Sequence, residues 1–133
     1  MNKILHTKTI EILWDDMDGY YHVNNAKYFT YMQECRFDWL KIHDVKYSPT
    51  TRAPVLSSTK CKFIRPIVYP ATINIDMYLI NRNGKKITFR HTIYATNNPE
   101  HIYAIGEADV VWFDFVNQKS IFEPEEYASI YNK

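Results

Sequence analysis

Within ten residues the chain places two carboxylates, a histidine and two side-chain amides: Asp16, Asp18, His22, Asn24 and Asn25 in the run Asp16-Met17-Asp18-Gly19-Tyr20-Tyr21-His22-Val23-Asn24-Asn25. A carboxylate can serve as nucleophile or as general base on water, and a histidine can carry protons near neutral pH. Asn24 and Asn25 are good helix N-caps. Behind them residues 26–40 hold no glycine or proline, and Tyr28, Met32, Cys35, Trp39 and Ile42 recur at spacings of three and four, which predicts a helix over about 25–43 with those five on its buried stripe. The acid, base and amide groups therefore stand where a helix begins. That end offers free N–H groups and a partial positive charge to a developing anion. The plainer reading is that Asp, Gly and Asn simply form a turn and a cap. Two features argue for more: an Asp-x-Asp-x-x-x-His run is denser in titratable groups than a loop needs, and Tyr20-Tyr21 is an unusual filling for an exposed turn.

The elements that must position these groups follow from pattern. Residues 7–14 alternate as a strand. Residues 43–54 read as a loop, with Pro49 and Pro54 blocking helix. Strands are predicted over 55–64, stopped by Arg65-Pro66, then over 71–81 and 85–96 around an Asn83-Gly84 hairpin turn, which supplies the positive φ angles such turns need. A second turn is expected at 97–100, a long aromatic last strand over 101–114, and a short closing helix over 122–132, where Pro124 and the acids around it suit an N-terminus. The order is strand, long helix, then four strands, three of them a meander. One helix and one sheet bury each other if the sheet wraps around the helix.

Composition bounds the partners. At 133 residues the chain is expected to form a single domain, residues 1–133, large enough for a real core. A net charge of +1 with scattered Lys and Arg implies no nucleic-acid partner. The eleven tyrosines and seven phenylalanines are read as builders of strands and oligomer interfaces, since a base-stacking surface would need basic residues interleaved among them. Cys35 and Cys61 fit no metal spacing and read as reduced and structural. No window approaches 18 apolar residues and the first six residues carry no signal-like run, so no membrane partner and a cytoplasmic location are expected. Metal hydrolysis is a weak option: Asp16, Asp18 and His22 lack a further histidine nearby. A Gly-x-Ser-x-Gly elbow and a Walker loop are both absent.

Asp16-Met17-Asp18, then His22-Val23-Asn24-Asn25-Ala26-Lys27-Tyr28, then Tyr31-Met32-Gln33-Glu34-Cys35-Arg36 resembles the signature of the hot-dog-fold acyl-CoA thioesterases, in the branch of the 4-hydroxybenzoyl-CoA thioesterase family. Phe63-Ile64-Arg65-Pro66, Gly84-Lys85-Lys86 and Gly106-Glu107-Ala108 also fit. The resemblance implies an α+β hot-dog fold, a curved antiparallel sheet of about five strands around one long helix. It implies hydrolysis of an acyl-CoA thioester, without cofactor or metal, by a homodimer or tetramer with sites between subunits. Asp18 then falls on the catalytic carboxylate and His22 on the histidine near the thioester, while the oxyanion donor is an N–H of Asn24 or Asn25. Asp16 reads as loop-shaping. Tyr28 and Tyr21 are placed at the substrate, and Lys85 and Lys86, close to Arg90, either meet the coenzyme's phosphates or form a solvated turn. Glu34 and Arg36, two apart, do not face each other and read as capping or inter-subunit contacts. One position departs from the family: the residue before the histidine is usually glycine, and here it is Tyr21. A tyrosine there narrows the pocket or alters the loop, and it favours one alternative, a non-catalytic acyl-binding or assembly subunit. A separate alternative is a thioesterase for acyl carrier protein, which would dock through Lys60, Lys62 and Arg65.

Overall fold

The computed structural model describes residues 3–132. One long helix, α1 (Asn25–Ile42), lies against a six-stranded antiparallel sheet. The strands are β1 (Ile4–Glu11), β2 (Arg52–Phe63), β3 (Thr72–Asn81), β4 (Lys86–Ala95), β5 (Asn98–Asp114) and β6 (Lys119–Ile121). Their order is β1-β3-β4-β5-β2, with β6 paired to β5. This is the hot-dog architecture.

The helix is set by its two ends. Asn24 caps it, its Oδ1 accepting from Ala26 N at 2.8 Å. At the other end Asp44 takes φ 55°, and Val45 N donates to Leu40 O at 3.0 Å while Asp44 N donates to Lys41 O at 3.1 Å. That pairing is a Schellman closure, which satisfies the last carbonyls. Between these ends Tyr28, Tyr31, Met32, Cys35 and Trp39 are buried against the sheet's Ile73, Ile75, Met77, Phe89 and Ile93. Ile42 was expected on this stripe but is 61% exposed. It lies only about 60° around the helix from Trp39, so its exposure reflects a last turn that runs past the packed face.

Gly106 on β5 lets the helix come close. A Cβ there would overlap Met32 Sδ and stand 2.8 Å from Met32 Cε and 3.0 Å from Lys60 O. Met32 is itself buried, so it has little room to retreat. Gly106→Ala is expected to cost about 1–3 kcal/mol by overpacking; a denaturant midpoint equal to wild type would show that the helix yields freely.

Several boundaries differ from the sequence expectation. The first strand ends at Glu11 rather than Trp14, because its pairing with β3 ends at Glu11↔Thr72; Trp14 to Asp16 instead form a single 3-10 turn. The last strand starts at Asn98, not His101, and Pro99 falls where the β4–β5 register shifts, so its missing N–H costs no regular ladder bond. The closing segment Glu125–Asn132 is a 3-10 helix, and the short strand β6 precedes it.

The aromatic strand β5 lies between β4 and β2, so it is no edge; the edges are β1 and β2. β2 is 12 residues long, mostly exposed, and unpaired on its outer side among the described residues. A long bare edge of this kind invites pairing with another chain. A homo-oligomer is therefore expected, and sedimentation at the 15.9 kDa mass of one chain would count against it.

Candidate functional site

The loop before α1 is a small hairpin. Met17 bridges to Val23, Asp18 N donates to His22 O at 3.0 Å, and Tyr21 N donates to Asp18 O at 2.9 Å. This is a three-residue hairpin loop closed by a residue in the left-handed region. Tyr21 holds that position with φ 62°. A residue with a Cβ is disfavoured there by about 1–2 kcal/mol, which explains physically why glycine suits the position in the resembled family. The hairpin is tied to its surroundings by Val23 N donating to Ile67 O at 2.8 Å and by Asn24 N donating to Asp16 O at 2.9 Å.

The two aspartates differ in environment. Asp16 is 6% exposed. Its Oδ2 accepts from Tyr31 OH at 2.8 Å and from Leu13 N at 3.0 Å, and its Oδ1 lies 3.4 Å from Lys27 Nζ. Burial pushes its pKa up, but the Leu13 N–H, the Tyr31 hydroxyl and the Lys27 ammonium together outweigh it and hold the carboxyl below the ordinary 3.8. Asp18 is half-buried, and its Oδ1 accepts from Tyr20 N at 2.9 Å. Its Oδ2 has no partner among the described residues. Asp16 thus shapes the loop, while Asp18 keeps an oxygen available.

The helix start sorts its N–H groups in the same way. Asn24 N is used by Asp16 O, Ala26 N by Asn24 Oδ1, and Lys27 N by Asn24 O at 2.9 Å. The Asn25 N–H alone of these four has no acceptor among the described residues. Of the two candidate donors, Asn24 is committed to the loop and Asn25 is open.

An open cleft of about 310 Å³ adjoins this end of the helix, lined by His22, Val23, Asn25 and Tyr28 on one side and by Phe63, Ile64, Arg65 and Pro66 on the other. Asp18 stands beside this lining rather than in it. Tyr28 is buried, accepts from Ile67 N at 3.2 Å, and sets its ring edge-on to Phe63 with centroids 4.9 Å apart. Burial pushes its phenol pKa up, so it stays protonated at neutral pH. The far wall includes Phe63, which its aromatic character marks as acyl-pocket lining, and Arg65. Nothing in its composition revealed that the chain leaving β2 folds back over the helix start.

Other predicted residues fall elsewhere. Lys85 and Lys86 lie at the opposite end of the sheet: Phe63 is paired with Ala104 and Lys86 with Val111, a separation of about 24 Å along β5 at ~3.4 Å per residue. Lys85 Nζ instead donates to Ser120 O at 3.3 Å. Arg90 and Lys60 both approach Glu107, at 3.0 and 3.6 Å. Arg36 turns inward rather than to the surface, its Nη1 3.4 Å from Nε2 of the fully buried His91. Burial lowers the Arg36 pKa to about 10 and, with the Arg36 charge, that of His91 to about 3, so His91 is neutral. Cys35 and Cys61 are free thiols whose pKa values burial pushes up to about 12 and about 11, which suits structural rather than reactive roles. Among the described residues no group of three His, Cys, Asp or Glu is placed to hold a metal ion, and no helix is long and apolar enough to cross a membrane. An apolar cavity of about 150 Å³ lies under the C-terminal half of α1, lined by Trp39, Leu40, Phe89 and Trp112 among others. It is about 20 Å along the helix from the cleft, at 1.5 Å per residue, so it does not serve Asp18 of the same chain.

Comparison with known proteins gives one consistent result. Residues 12–129 match the profile of the thioesterase-like superfamily. The long-chain acyl-CoA thioesterase FadM of Escherichia coli is 27% identical over 115 residues, covering 79% of this chain and 80% of FadM. A candidate acyl-CoA thioesterase of Xanthomonas campestris is 31% identical, with a TM-score of 0.80 over 91% of this chain and all of that one. A Pseudomonas aeruginosa protein described as a candidate thioesterase superposes with a TM-score of 0.89 at 28% identity, over 96% of this chain and 98% of that one.

Proposed function

This chain belongs to the thioesterase-like superfamily, and from that membership we propose that it hydrolyses an acyl-CoA thioester to the free acid and coenzyme A. Asp18 is the reactive carboxylate, and the Asn25 N–H is the oxyanion donor. The observation that carries this reading is an unengaged carboxylate oxygen on Asp18, in the hairpin, together with an unengaged N–H on Asn25, at the start of α1 two residues past that hairpin.

A thioester carbonyl is open to attack because sulfur overlaps poorly with it. As water or the carboxylate adds to the carbon, charge gathers on the carbonyl oxygen. A fixed N–H at a helix N-terminus stabilises that charge without reorganising. Asp18 either takes the proton of the attacking water or attacks directly, forming an anhydride that water then opens. Both routes release coenzyme A as the thiol. His22 lines the cleft at the reacting end and orients the thioester there. Tyr28, neutral and buried, forms the inner wall with Phe63, and so meets the acyl group with an apolar aromatic surface. The E. coli relative acts on long-chain acyl-CoA, which makes long and medium aliphatic chains the first to test beside aryl groups.

The Tyr21 departure does not break the hairpin: both of its closing hydrogen bonds are present. That favours a working site over a non-catalytic subunit. A panel of acyl-CoA and acyl carrier protein thioesters, followed with a thiol reporter beside Asp18→Ala, tests the proposal. Turnover on CoA thioesters, lost in the variant, supports it. Turnover on the carrier alone, or on neither, overturns it.

A further inference from the structure

The strained residue of the hairpin is also one of the most exposed aromatics of the chain. Tyr21 adopts φ 62° and is 77% exposed, and beside it Tyr20 is 83% exposed. Its ring has no aromatic, cationic or hydrogen-bonding partner among the described residues. Two other non-glycine residues take positive φ, Asp44 at the end of α1 and Gln118 in the turn before β6, and both lie away from the cleft. The three-residue loop demands the left-handed conformation and its backbone hydrogen bonds hold it, but the exposed Tyr21 ring adds no bond or ring contact among the described residues that would favour a tyrosine over glycine there. It does have a place: Tyr21 directly precedes His22, which lines the cleft.

The cleft has two different ends. Its inner part rests on Val23 and Tyr28, both buried, and suits the acyl group. Its other wall carries the exposed Arg65, whose Nη1 donates to Ile102 O at 2.9 Å, and Tyr21 adjoins the lining in sequence through His22. Coenzyme A is the charged, water-soluble part of the substrate, so it must occupy the solvent end. There its phosphates would meet a cation, and its adenine and pantetheine arm an aromatic face.

Resting on the proposed thioesterase reading, we propose that Tyr21 is a substrate-binding residue whose ring holds the coenzyme portion of an acyl-CoA at the mouth of the cleft. Lys85 and Lys86, at the far end of the sheet, do not do this within the same chain. The hairpin sets the left-handed backbone at position 21, and a tyrosine is tolerated there for the coenzyme contact its exposed ring makes.

The test compares one acyl group carried on coenzyme A and on N-acetylcysteamine, which lacks the nucleotide and most of the pantetheine arm. Tyr21→Gly is expected to raise KM for the CoA thioester about tenfold with kcat within about twofold, the size of one lost aromatic contact. The penalty is confined to the CoA thioester, and Tyr21→Phe, which keeps the ring, restores the wild-type KM. Tyr21→Gly does not lower Tm, since glycine takes the positive φ freely. An unchanged KM, an equal loss on both thioesters, or a lower Tm overturns the proposal, the last because it would show the ring packing on the protein. Failure of the thioesterase reading looks different: the wild type then turns over neither thioester. In that case calorimetric titration with coenzyme A itself decides, and equal affinity of wild type and Tyr21→Gly overturns the role of Tyr21.

Discussion

Asp18→Asn is expected to lower kcat at least about a hundredfold, and up to ~10⁴-fold, while leaving KM nearly unchanged. Asparagine keeps the shape of the side chain, and its Oδ1 can still accept the Tyr20 N–H that the aspartate holds at 2.9 Å. The hairpin and cleft therefore survive, and only charge and basicity at the free oxygen are lost. A fall in kcat without a change in KM marks an interaction made in the transition state rather than with bound substrate. The acidic limb of the kcat–pH profile should disappear in the same variant. A variant that keeps more than about a tenth of wild-type kcat, or one that loses activity only by unfolding, removes Asp18 from the chemistry.

The part of this site that was legible in the sequence is the part built locally. Asn24 caps the helix within the run where it was read, and the stripe from Tyr28 to Trp39 is buried as its spacing required. The contrast between Asp16 and Asp18 was legible only as a reading. Its physical basis, the Tyr31 hydroxyl reaching Asp16 from two turns along α1, joins residues 15 apart that no spacing rule connects. The far wall of the cleft and the inward turn of Arg36 toward His91, 55 residues away, were not legible for the same reason. Lys85 and Lys86 show the reverse relation between sequence and space. Basic residues close together in sequence read as a phosphate contact or a solvated turn, and strand register sets them at the other end of the sheet from this chain's own cleft. Tyr21 falls between these cases. Its sequence showed a departure from glycine, and only the backbone angle shows what the departure costs.

Asp16→Ala should act on stability, where Asp18→Asn acts on rate. Asp16 is buried and accepts from two donors, the Leu13 N–H and the Tyr31 hydroxyl, with the Lys27 ammonium 3.4 Å away. Removing the carboxylate strands a buried hydroxyl and a backbone N–H, at about 1–3 kcal/mol for a group left unsatisfied. The whole change should cost ~2–4 kcal/mol, which for a chain of this size is a fall in Tm on the order of 10 °C. The pH dependence follows from the direction of the shift. The folded carboxyl titrates below its ordinary 3.8, so its contribution is fully present above that value and is lost as pH falls through the lower folded value. The Tm gap between wild type and Asp16→Ala should therefore be constant near neutrality and narrow only below about pH 4. Assayed well below its Tm, the variant should keep a kcat within about tenfold of wild type, because Asp18 Oδ2 and the Asn25 N–H are not among the groups it strands. If instead Asp16→Ala melts like wild type and is inactive, the two carboxylates have exchanged roles, and the reacting group is the buried one.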